Sequence, residues 1–540
     1  MKNIKIFNKV LVLGMLLVIF SCKKLDLAPV NTFTDLNYWT TPAKAASILN
    51  TAYSQMFDNN SFFMNEALSD NAYNGRGDAE GAASIAAGTY DPSLQRFKNE
   101  WGRRYGAIKT THIILENIDK VPNMDAGLRD RMKAEARFIR AFQFFQLSTW
   151  FGDVPLFQKD LNIEEAKTIP RSPRAEVLTF VLGELDAVSA ILPVSYADAD
   201  KGRITKGAAL ALKARVLLYD GKWQEVITTC EQIMSSNTYG LFASYEGLFL
   251  PQNENNREVI FDMQYVPLLR TYSNFFDYAP ISVGARLNSY APTQELVDNY
   301  LMLNGKPITD PTSGYTEADP YVNRDPRLTN TVVYHLYKWK KPDNSLQTIY
   351  IKPGSDPNQA TKLDEYAPGS VTSPTGYYLR KYYDPTSANN FQSGLNLILI
   401  RYADVLLMYA EAKNELAQMT STVWDQTIKP IRTRAGFTDP AALNYNSSLT
   451  QAAMRTVIRN ERRSELAMEG LRIFDIKRWR TAETVLNGFV HGAKFGPATI
   501  DNGYIRANQR VFDPARNYLW PIPRDERAIN PNLSQNPGYN

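Results

Sequence analysis

The chain has 540 residues, of which 44% are hydrophobic, 21% charged and 12% aromatic. This composition supplies enough apolar material for a large core and excludes a disordered or fibrous protein. The formal net charge is +4, but Lys2, Lys5 and Lys9 lie in the first 21 residues, which contain no acid. Beyond them, basic and acidic residues are nearly equal in number and intermixed, so nucleic acid is not predicted as a partner.

The first 22 residues have the pattern of a secretory leader. Basic residues precede an apolar run from Val10 to Phe20, which is followed by Ser21 and Cys22. The run is too short for a helix that crosses a membrane, which needs roughly 20 apolar residues. Residues 19–22 (IFSC) resemble the lipobox of bacterial lipoproteins, where the peptidase cuts before a cysteine that carries diacylglycerol. Cys22 is therefore predicted to hold the protein on a membrane through its acyl chains.

Cys230 is the only other cysteine, so no intramolecular disulfide is expected once Cys22 is acylated. It shares a helical stripe with Val226 and Ile233. On such a stripe a thiol packs as a small hydrophobic group. We therefore predict that Cys230 belongs to the core and is not reactive.

Helical periodicity dominates the chain after a short tether. Residues 42–56 are predicted to be helical, and a Gly/Asn/Asp-rich loop follows at about 70–81. Further helices are predicted at 108–118, 132–150, 173–192, 205–219 and 223–234. Ala208, Ala211 and Ala214, with Gly221 and Trp223 at a turn, resemble a tetratricopeptide hairpin, in which small residues let two helices approach closely.

The pattern changes between about residues 238 and 395. This stretch is rich in Pro, Gly, Asn, Asp and Tyr and has only short apolar runs, which predicts loops, short helices and a few strands. Helix pairs return at 397–418 with 423–434 and at 451–470 with 471–486, where Pro430 implies a kink or a late helix start. The hairpins thus flank a large insert, and such loops on a rigid frame usually carry specificity.

Several motifs occur along the chain in an order that is typical of one protein family. They are 25–29 (LDLAP), 134–141 (AEARFIRA), 151–156 (FGDVPL), 202–208 (GRITKGA), 402–407 (YADVLL), 461–479, 519–523 (LWPIP) and 535–539 (QNPGY). In these motifs the sequence resembles the SusD/RagB family of outer-membrane nutrient-binding lipoproteins of Bacteroidetes. The resemblance covers essentially the whole mature chain.

The resemblance implies a mainly α fold in which about four tetratricopeptide-like helix pairs scaffold a large loop-rich insert with a few short strands. The expected divisions are a lipoprotein signal peptide (1–21), a lipid-anchored tether (22–33), an N-terminal helical part (34–237), the insert (238–395) and a C-terminal helical part with a closing tail (396–540). The family implies a surface-exposed position on the outer membrane, although Lys23 and Lys24 replace the acidic residues common in surface-exported members. It also implies a SusC-like TonB-dependent receptor as partner and an oligosaccharide as ligand, with an oligopeptide as the alternative.

The charged run from Arg459 to Arg478 could be mistaken for a catalytic cluster. Glu461, Glu465 and Glu469 recur at i, i+4 spacing among arginines. We expect a structural salt-bridge network that joins the last repeat to its neighbours.

No signature of catalysis is evident elsewhere in the sequence. There is no Gly-x-Ser-x-Gly elbow, and His112, His335 and His491 lack metal-ligand spacing. A glycosidase needs no local motif, because two carboxylates can come together from distant segments. We nevertheless predict binding without catalysis, and neither a metal nor a cofactor.

Saccharide sites combine aromatic rings with amide, carboxylate and guanidinium groups. Alternation over residues 331–340 predicts one strand that places Tyr337 and Trp339 on the same face, roughly 7 Å apart at about 3.3 Å per residue. The predicted ligand contacts, which the resemblance places only by region, are Trp339, Tyr337, Tyr290, Tyr272 and Phe276 in the insert and Tyr73, Asn71, Asp70 and Arg76 in the early loop. The alternatives are that the aromatic residues only pack the insert onto the helices, and that the repeats bind only proteins.

Overall fold

The structure, a computed structural model, describes residues 38–386 and 391–539. Cys22 and the predicted leader and tether lie outside these residues. The helices of the first half are α1 (Pro42–Met56), α2 (Asn59–Ala67), α3 (Ala82–Ala86), α4 (Gln95–Asn117), α5 (Ala126–Phe151), α6 (Ile163–Ala166), α7 (Arg174–Ile191), α8 (Lys206–Tyr219) and α9 (Trp223–Ser235). Each long helix predicted in this part is confirmed, although α4 and α5 begin before their predicted boundaries.

Local sequence explains why these helices begin where they do. The Thr41 side chain caps α1 and is followed by Pro42 in the first turn, while Asp125 and Thr205 cap α5 and α8. Helix α8 packs against both α7 and α9. Its small residues allow this close approach, as predicted, because they are buried and add little bulk: Ala208, Ala211 and Ala214.

The helices after residue 238 are short until the C-terminal part. They are α10 (Gln294–Asn299), α11 (Pro326–Thr331), α12 (Tyr402–Glu415), α13 (Ser421–Gln426), α14 (Ile428–Ala435), α15 (Pro440–Leu443), α16 (Gln451–Glu465), α17 (Arg472–Arg478), α18 (Ala482–Val485) and α19 (Arg524–Ile529). Helices α9, α12 and α16 pack in succession and continue the helical frame across the insert. A break at Thr427 separates α13 from α14, which confirms the late start that Pro430 implied.

The strands form two-stranded antiparallel pairs. They are β1 (Ala72–Asn74) with β3 (Tyr290–Pro292), β2 (Val259–Met263) with β8 (Leu397–Arg401), β4 (Val332–Val333) with β7 (Tyr378–Leu379), β5 (Tyr337–Lys340) with β6 (Leu346–Ile349), and β9 (Gly488–His491) with β10 (Arg506–Arg510). The prediction of helix from residue 397 was wrong for its first five residues, because β8 pairs with β2 instead. The pairing of β1 with β3 joins the early loop to the insert.

The acidic residues of α16 and its C-terminal turn form the predicted salt-bridge network. Glu461 pairs with Arg327 and with Arg432, at 2.7 Å in each case. Glu465 pairs with Arg401 at 2.6 Å and also with Arg434. Further members are Glu258, Asp325, Lys381 and Glu469. Since these side chains are buried and come from the insert and from the C-terminal helices, the network ties the two parts together.

Two further observations concern Cys230 and membrane-crossing segments. The Cys230 thiol is buried in the main hydrophobic core, and burial raises its pKa far above the ordinary value. The predicted core position is thus confirmed, and the thiolate needed for reaction is disfavoured. Within residues 38–386 and 391–539, no helix has both the length and the apolar character needed to cross a membrane.

Candidate ligand-binding site

Asp70 and Asn71 lie beneath the early loop and hold it in place. The Asp70 carboxylate accepts hydrogen bonds from Arg472 at 2.8 and 3.0 Å and forms an ion pair with Arg463 at 3.0 Å. Burial alone would raise the pKa of Asp70, but the two guanidinium groups hold it well below its usual range. The Asn71 amide donates to Glu66 and accepts from Arg463. These predicted contacts are buried and engaged within the protein, so they position the loop.

Tyr73 and Arg76, in contrast, reach the surface of the same loop. Pairing of β1 with β3 buries Ala72 and leaves the Tyr73 ring half-buried on the other side. Arg76 is exposed, and its guanidinium donates to the carbonyl oxygen of Ser370 in the insert. Gly75 lies between them, since a Cβ there would come within 2.4 Å of the Pro374 ring and 3.0 Å of the Tyr73 ring. The glycine therefore permits the close approach of loop and insert.

The insert contributes the neighbouring side chains. Arg286 forms a two-point ion pair with Asp277, at 2.9 and 3.0 Å, and its guanidinium lies 5.4 Å from the centre of the Phe391 ring. The backbone of Asn288 donates to the carbonyl oxygen of Val371, whose side chain is exposed. The backbone of Gly75 donates to Ser289 and links this segment to the early loop. We call the surface formed by Tyr73, Arg76, Arg286, Val371 and Phe391 the loop face.

The other predicted aromatic contacts are buried. Trp339 is 1% exposed and packs edge-on against Tyr383, while the Arg380 guanidinium covers its ring at 4.6 Å. Tyr337 shares its face, with ring centres 6.2 Å apart. The rings of three more predicted contacts are enclosed as well: Tyr272, Phe276 and Tyr290. Their burial favours the alternative that these rings pack within the protein, because alternation identifies a shared face without showing whether that face meets solvent or core.

The predicted strand over residues 331–340 was also wrong as one continuous element. Helix α11 extends to Thr331, and β4 ends at Val333. Leu336 has a φ of 67°, which interrupts the extended backbone before β5 begins at Tyr337. Tyr337 and Trp339 then pack in a small core of the insert with Val333, Ile349 and Tyr378.

Sequence reasoning missed Arg286, Val371 and Phe391. They are separated by long stretches of chain and lie in segments without regular periodicity. No local pattern marks them, because contacts between distant segments connect them: the hydrogen bond from Asn288 to Val371 and the contact of Arg286 with the Phe391 ring. The Gly-rich composition around Gly75 indicated a loop but not the segment that it contacts.

The histidines are not gathered into a metal site. His112 is buried, which lowers its pKa to about 4. His491 lies between Glu295 at 2.8 Å and Asp501 at 3.1 Å, and these hydrogen bonds raise its pKa. In the part of the chain that the structure describes, no three side chains of His, Cys, Asp or Glu are placed to hold a metal ion.

Comparison with known proteins identifies the family. Residues 257–539, more than half of the chain, match the SusD family. The chain belongs to the SusD family. Residues 25–218 also match a family described as SusD-like and starch-binding, associating with the outer membrane.

Relatives of this SusD-family protein match most of its length. A SusD-like carbohydrate-binding protein of Bacteroides fragilis superposes with a TM-score of 0.83 at 29% identity, covering 92% of this chain and 100% of that one. SusD-like protein P2 of Formosa agariphila is 25% identical over 98% of this chain and 99% of its own. The starch-binding protein SusD of Bacteroides thetaiotaomicron is 28% identical over 32% of this chain and 31% of its own. The fold predicted from the resemblance is confirmed.

Proposed function

We propose that this SusD-family protein binds an oligosaccharide on the loop face and does not modify it. The observation that carries the proposal is the contact of Arg76 on the early loop with Ser370 of the insert. The next residue, Val371, accepts a hydrogen bond from the backbone of Asn288, in the segment whose Arg286 contacts the Phe391 ring. A pyranose ring has flat apolar C–H faces edged by hydroxyl groups, and it suits a surface that alternates rings with guanidinium and carboxylate groups. The names of the relatives, which include starch-binding and carbohydrate-binding proteins, support the same ligand class.

Binding at the loop face predicts that Tyr73→Ala and Arg76→Ala each weaken glycan affinity. The loss of one ring contact or one charged donor should cost about 1 kcal/mol, which is roughly a fivefold rise in Kd. Calorimetry with a panel of glycans, including starch fragments and laminarin, and with a panel of peptides measures this change. Tyr445→Ala is the matched control, because Tyr445 is also a half-buried tyrosine but lies in the C-terminal helical part beside Trp424.

Three outcomes would contradict the proposal. A heat of binding with the peptides but with none of the glycans would identify an oligopeptide as the ligand. Glycan binding that Tyr445→Ala weakens as much as Tyr73→Ala does would remove the loop face from the site. Shortened chains after long incubation with a bound glycan would show catalysis.

We further propose that the protein is anchored by acylated Cys22 to the outer membrane, exposed at the surface, and that it delivers its ligand to a SusC-like TonB-dependent receptor. The leader pattern, the family and the description of the match at 25–218 support this proposal. A carrier must bind and release, which suits stacking and hydrogen bonding better than covalent chemistry.

Anchoring predicts that Cys22→Ala moves the protein from the outer-membrane fraction to the soluble fraction, because the acyl chains supply the stable membrane attachment. Mass spectrometry of the wild-type N-terminus should show acyl chains on Cys22. Cys230→Ala is the control and should leave the distribution unchanged. Retention of Cys22→Ala in the membrane fraction in cells that lack the receptor would contradict the anchor.

A further inference from the structure

A cavity lies at the junction of the first repeat and the insert. Its volume is about 240 Å³, and it is bounded by the C-terminal half of α1, the loop before α8 and the end of β2. The residues that matter for its chemistry are Asn50, Tyr53, Arg203, Asp262, Gln264 and Arg270. It shares no residue with the loop face. Its size suits a ligand of about one sugar ring or one dipeptide rather than a long chain.

Asp262 is the buried charge of this cavity. The residue is 6% exposed, and its Oδ1 accepts a hydrogen bond from the Gln264 amide. Among the described residues, no Lys, Arg or His forms an ion pair with it, and the strongest influences on its pKa include no base. Burial, together with the nearby Glu254, raises its pKa to about 7. A buried carboxylate without a cation is costly, so this group lacks the partner that usually stabilises it.

The cavity wall holds the Asp262 carboxylate in a fixed place. A Cβ at Gly202, whose φ is 88°, would lie 2.4 Å from the Gln264 amide carbon, so a larger residue there would displace that amide from the loop before α8. Gln264 in turn bonds Asp262. On the other side, the Arg270 guanidinium lies 5.0 Å from the centre of the Tyr265 ring and donates to the Gln264 carbonyl at 3.0 Å.

Arg203, Lys201 and Tyr53, which also line the cavity, already have partners. Arg203 donates to Asp200 at 2.7 Å and to Glu135 at 3.1 Å. Lys201 pairs with Asp198 at 2.6 Å. The Tyr53 hydroxyl donates to Glu135 at 2.7 Å. Two lining charges form no ion pair among the described residues: Arg270, whose guanidinium donates to the Gln264 carbonyl oxygen, and Asp262, which is the lining carboxylate without a charged partner.

We propose that this cavity binds the primary ammonium group of a small polar ligand, with Asp262 as its counter-ion. An ammonium group supplies both the missing charge and three hydrogen-bond donors, whereas a neutral hydroxyl supplies only one donor. Gln264 and Asn50 offer amides to the polar body of the ligand. An amino sugar and the amino terminus of a short peptide both present this chemistry. The proposal is independent of ligand binding at the loop face.

The proposal predicts a defined proton linkage. The ionised form of Asp262 binds the cation, so a group that is largely protonated at pH 6 must release its proton when the ligand binds. Affinity should therefore rise close to tenfold between pH 5 and pH 6 and level off above pH 7. The charged or titratable groups around Asp262 come from α1, from the loop before α8 and from the segments before and after β2: Tyr53, Asp200, Lys201, Arg203, Glu254 and Arg270.

Calorimetry between pH 5 and pH 7 with four probes tests the proposal. The probes are glucosamine, the dipeptide Gly-Ser, and the N-acetylated form of each, which keeps the polar body and removes the charge. We expect the two amines to bind at least tenfold more tightly than their acetylated forms. Titration at pH 6 in two buffers of different ionisation enthalpy should show release of close to one proton per ligand. Which amine binds more tightly identifies the source of the ammonium group.

The variant Asp262→Asn should abolish the preference for amines over acetylated forms. Asp343→Asn is the matched control, because Asp343 is an exposed carboxyl in the turn between β5 and β6 and should leave that preference unchanged. The proton measurement on the wild-type protein decides the question even if Asp262→Asn fails to fold. Equal affinity for acetylated probes, binding without proton release, or no binding of any probe at millimolar concentration would overturn the proposal.

Discussion

Replacing Arg401 with alanine should lower the free energy of unfolding by about 3–5 kcal/mol. Arg401 is 1% exposed and donates to Glu258, Glu465 and Glu469 at distances of 2.6 to 2.8 Å. Its removal leaves buried carboxylates without their shared cation in an environment of low polarity. Urea unfolding, followed by tryptophan fluorescence, measures the change as a lower midpoint.

Lys429→Ala is the matched control for Arg401→Ala. Lys429 pairs with Asp425 at 3.0 Å on a helical surface, and the two side chains are 40% and 53% exposed. Exposed pairs of this kind contribute less than about 1 kcal/mol, because water solvates both charges. Equal losses in the two variants would show that the buried network does not stabilise the fold more than a surface pair does.

Acid should destabilise the protein by protonating buried carboxylates that, like those around Arg401, are paired with arginines. The pKa values of Asp70, Asp404 and Glu465 are held well below their ordinary values of 3.8, 3.8 and 4.5 by neighbouring arginines, against the opposing effect of burial. As the pH falls through the unfolded-state pKa values, the unfolded chain therefore binds more protons than the folded protein. The stability that these ion pairs contribute is fully present above those pKa values and is lost below them. These three groups together should lower the free energy of unfolding by about 4 kcal/mol between pH 5 and pH 3.

The titration of Asp262 has the opposite effect on the free energy of unfolding between pH 5 and pH 3. Its pKa is raised to about 7, so protonation favours the folded state and offsets part of the loss on acidification. Urea unfolding at pH 5, 4 and 3 should therefore show a steeper loss for Asp262→Asn than for the wild-type protein. Stability that stays constant from pH 5 to pH 3 in both proteins would contradict the role of the buried ion pairs.

The sequence predicted the helical frame well because helix signals are local. The bounds predicted for α1 and α9 agree with the structure to within a residue, since their apolar stripes and their capping or turn residues lie within one stretch of chain. The irregular segments were harder. Residues 397–401 have an apolar pattern that suits either helix or buried strand, and only pairing with β2 decides between them.

The charged run from Arg459 to Arg478 also contains one feature that the sequence predicts and one that only the tertiary structure shows. The i, i+4 spacing of Glu461, Glu465 and Glu469 indicated a network of ion pairs, and this is confirmed. The spacing gave no indication that Arg327 and Arg401 would be the partners. These arginines lie far away in sequence, and the packing of the insert against α16 brings them together.

The sequence alone determined four features of this protein. They are the family, the mainly helical repeat frame, the core position of Cys230 and the structural role of the acidic run. These features depend on local periodicity, residue spacing and motif order, and all three can be read from the amino-acid sequence. Only the tertiary structure decided which polar and aromatic residues meet solvent. Trp339 and Tyr337 are enclosed by the insert, while Tyr73 is half-buried and Arg76 is exposed. Burial depends on contacts between distant segments, and neither composition nor alternation along one segment contains that information.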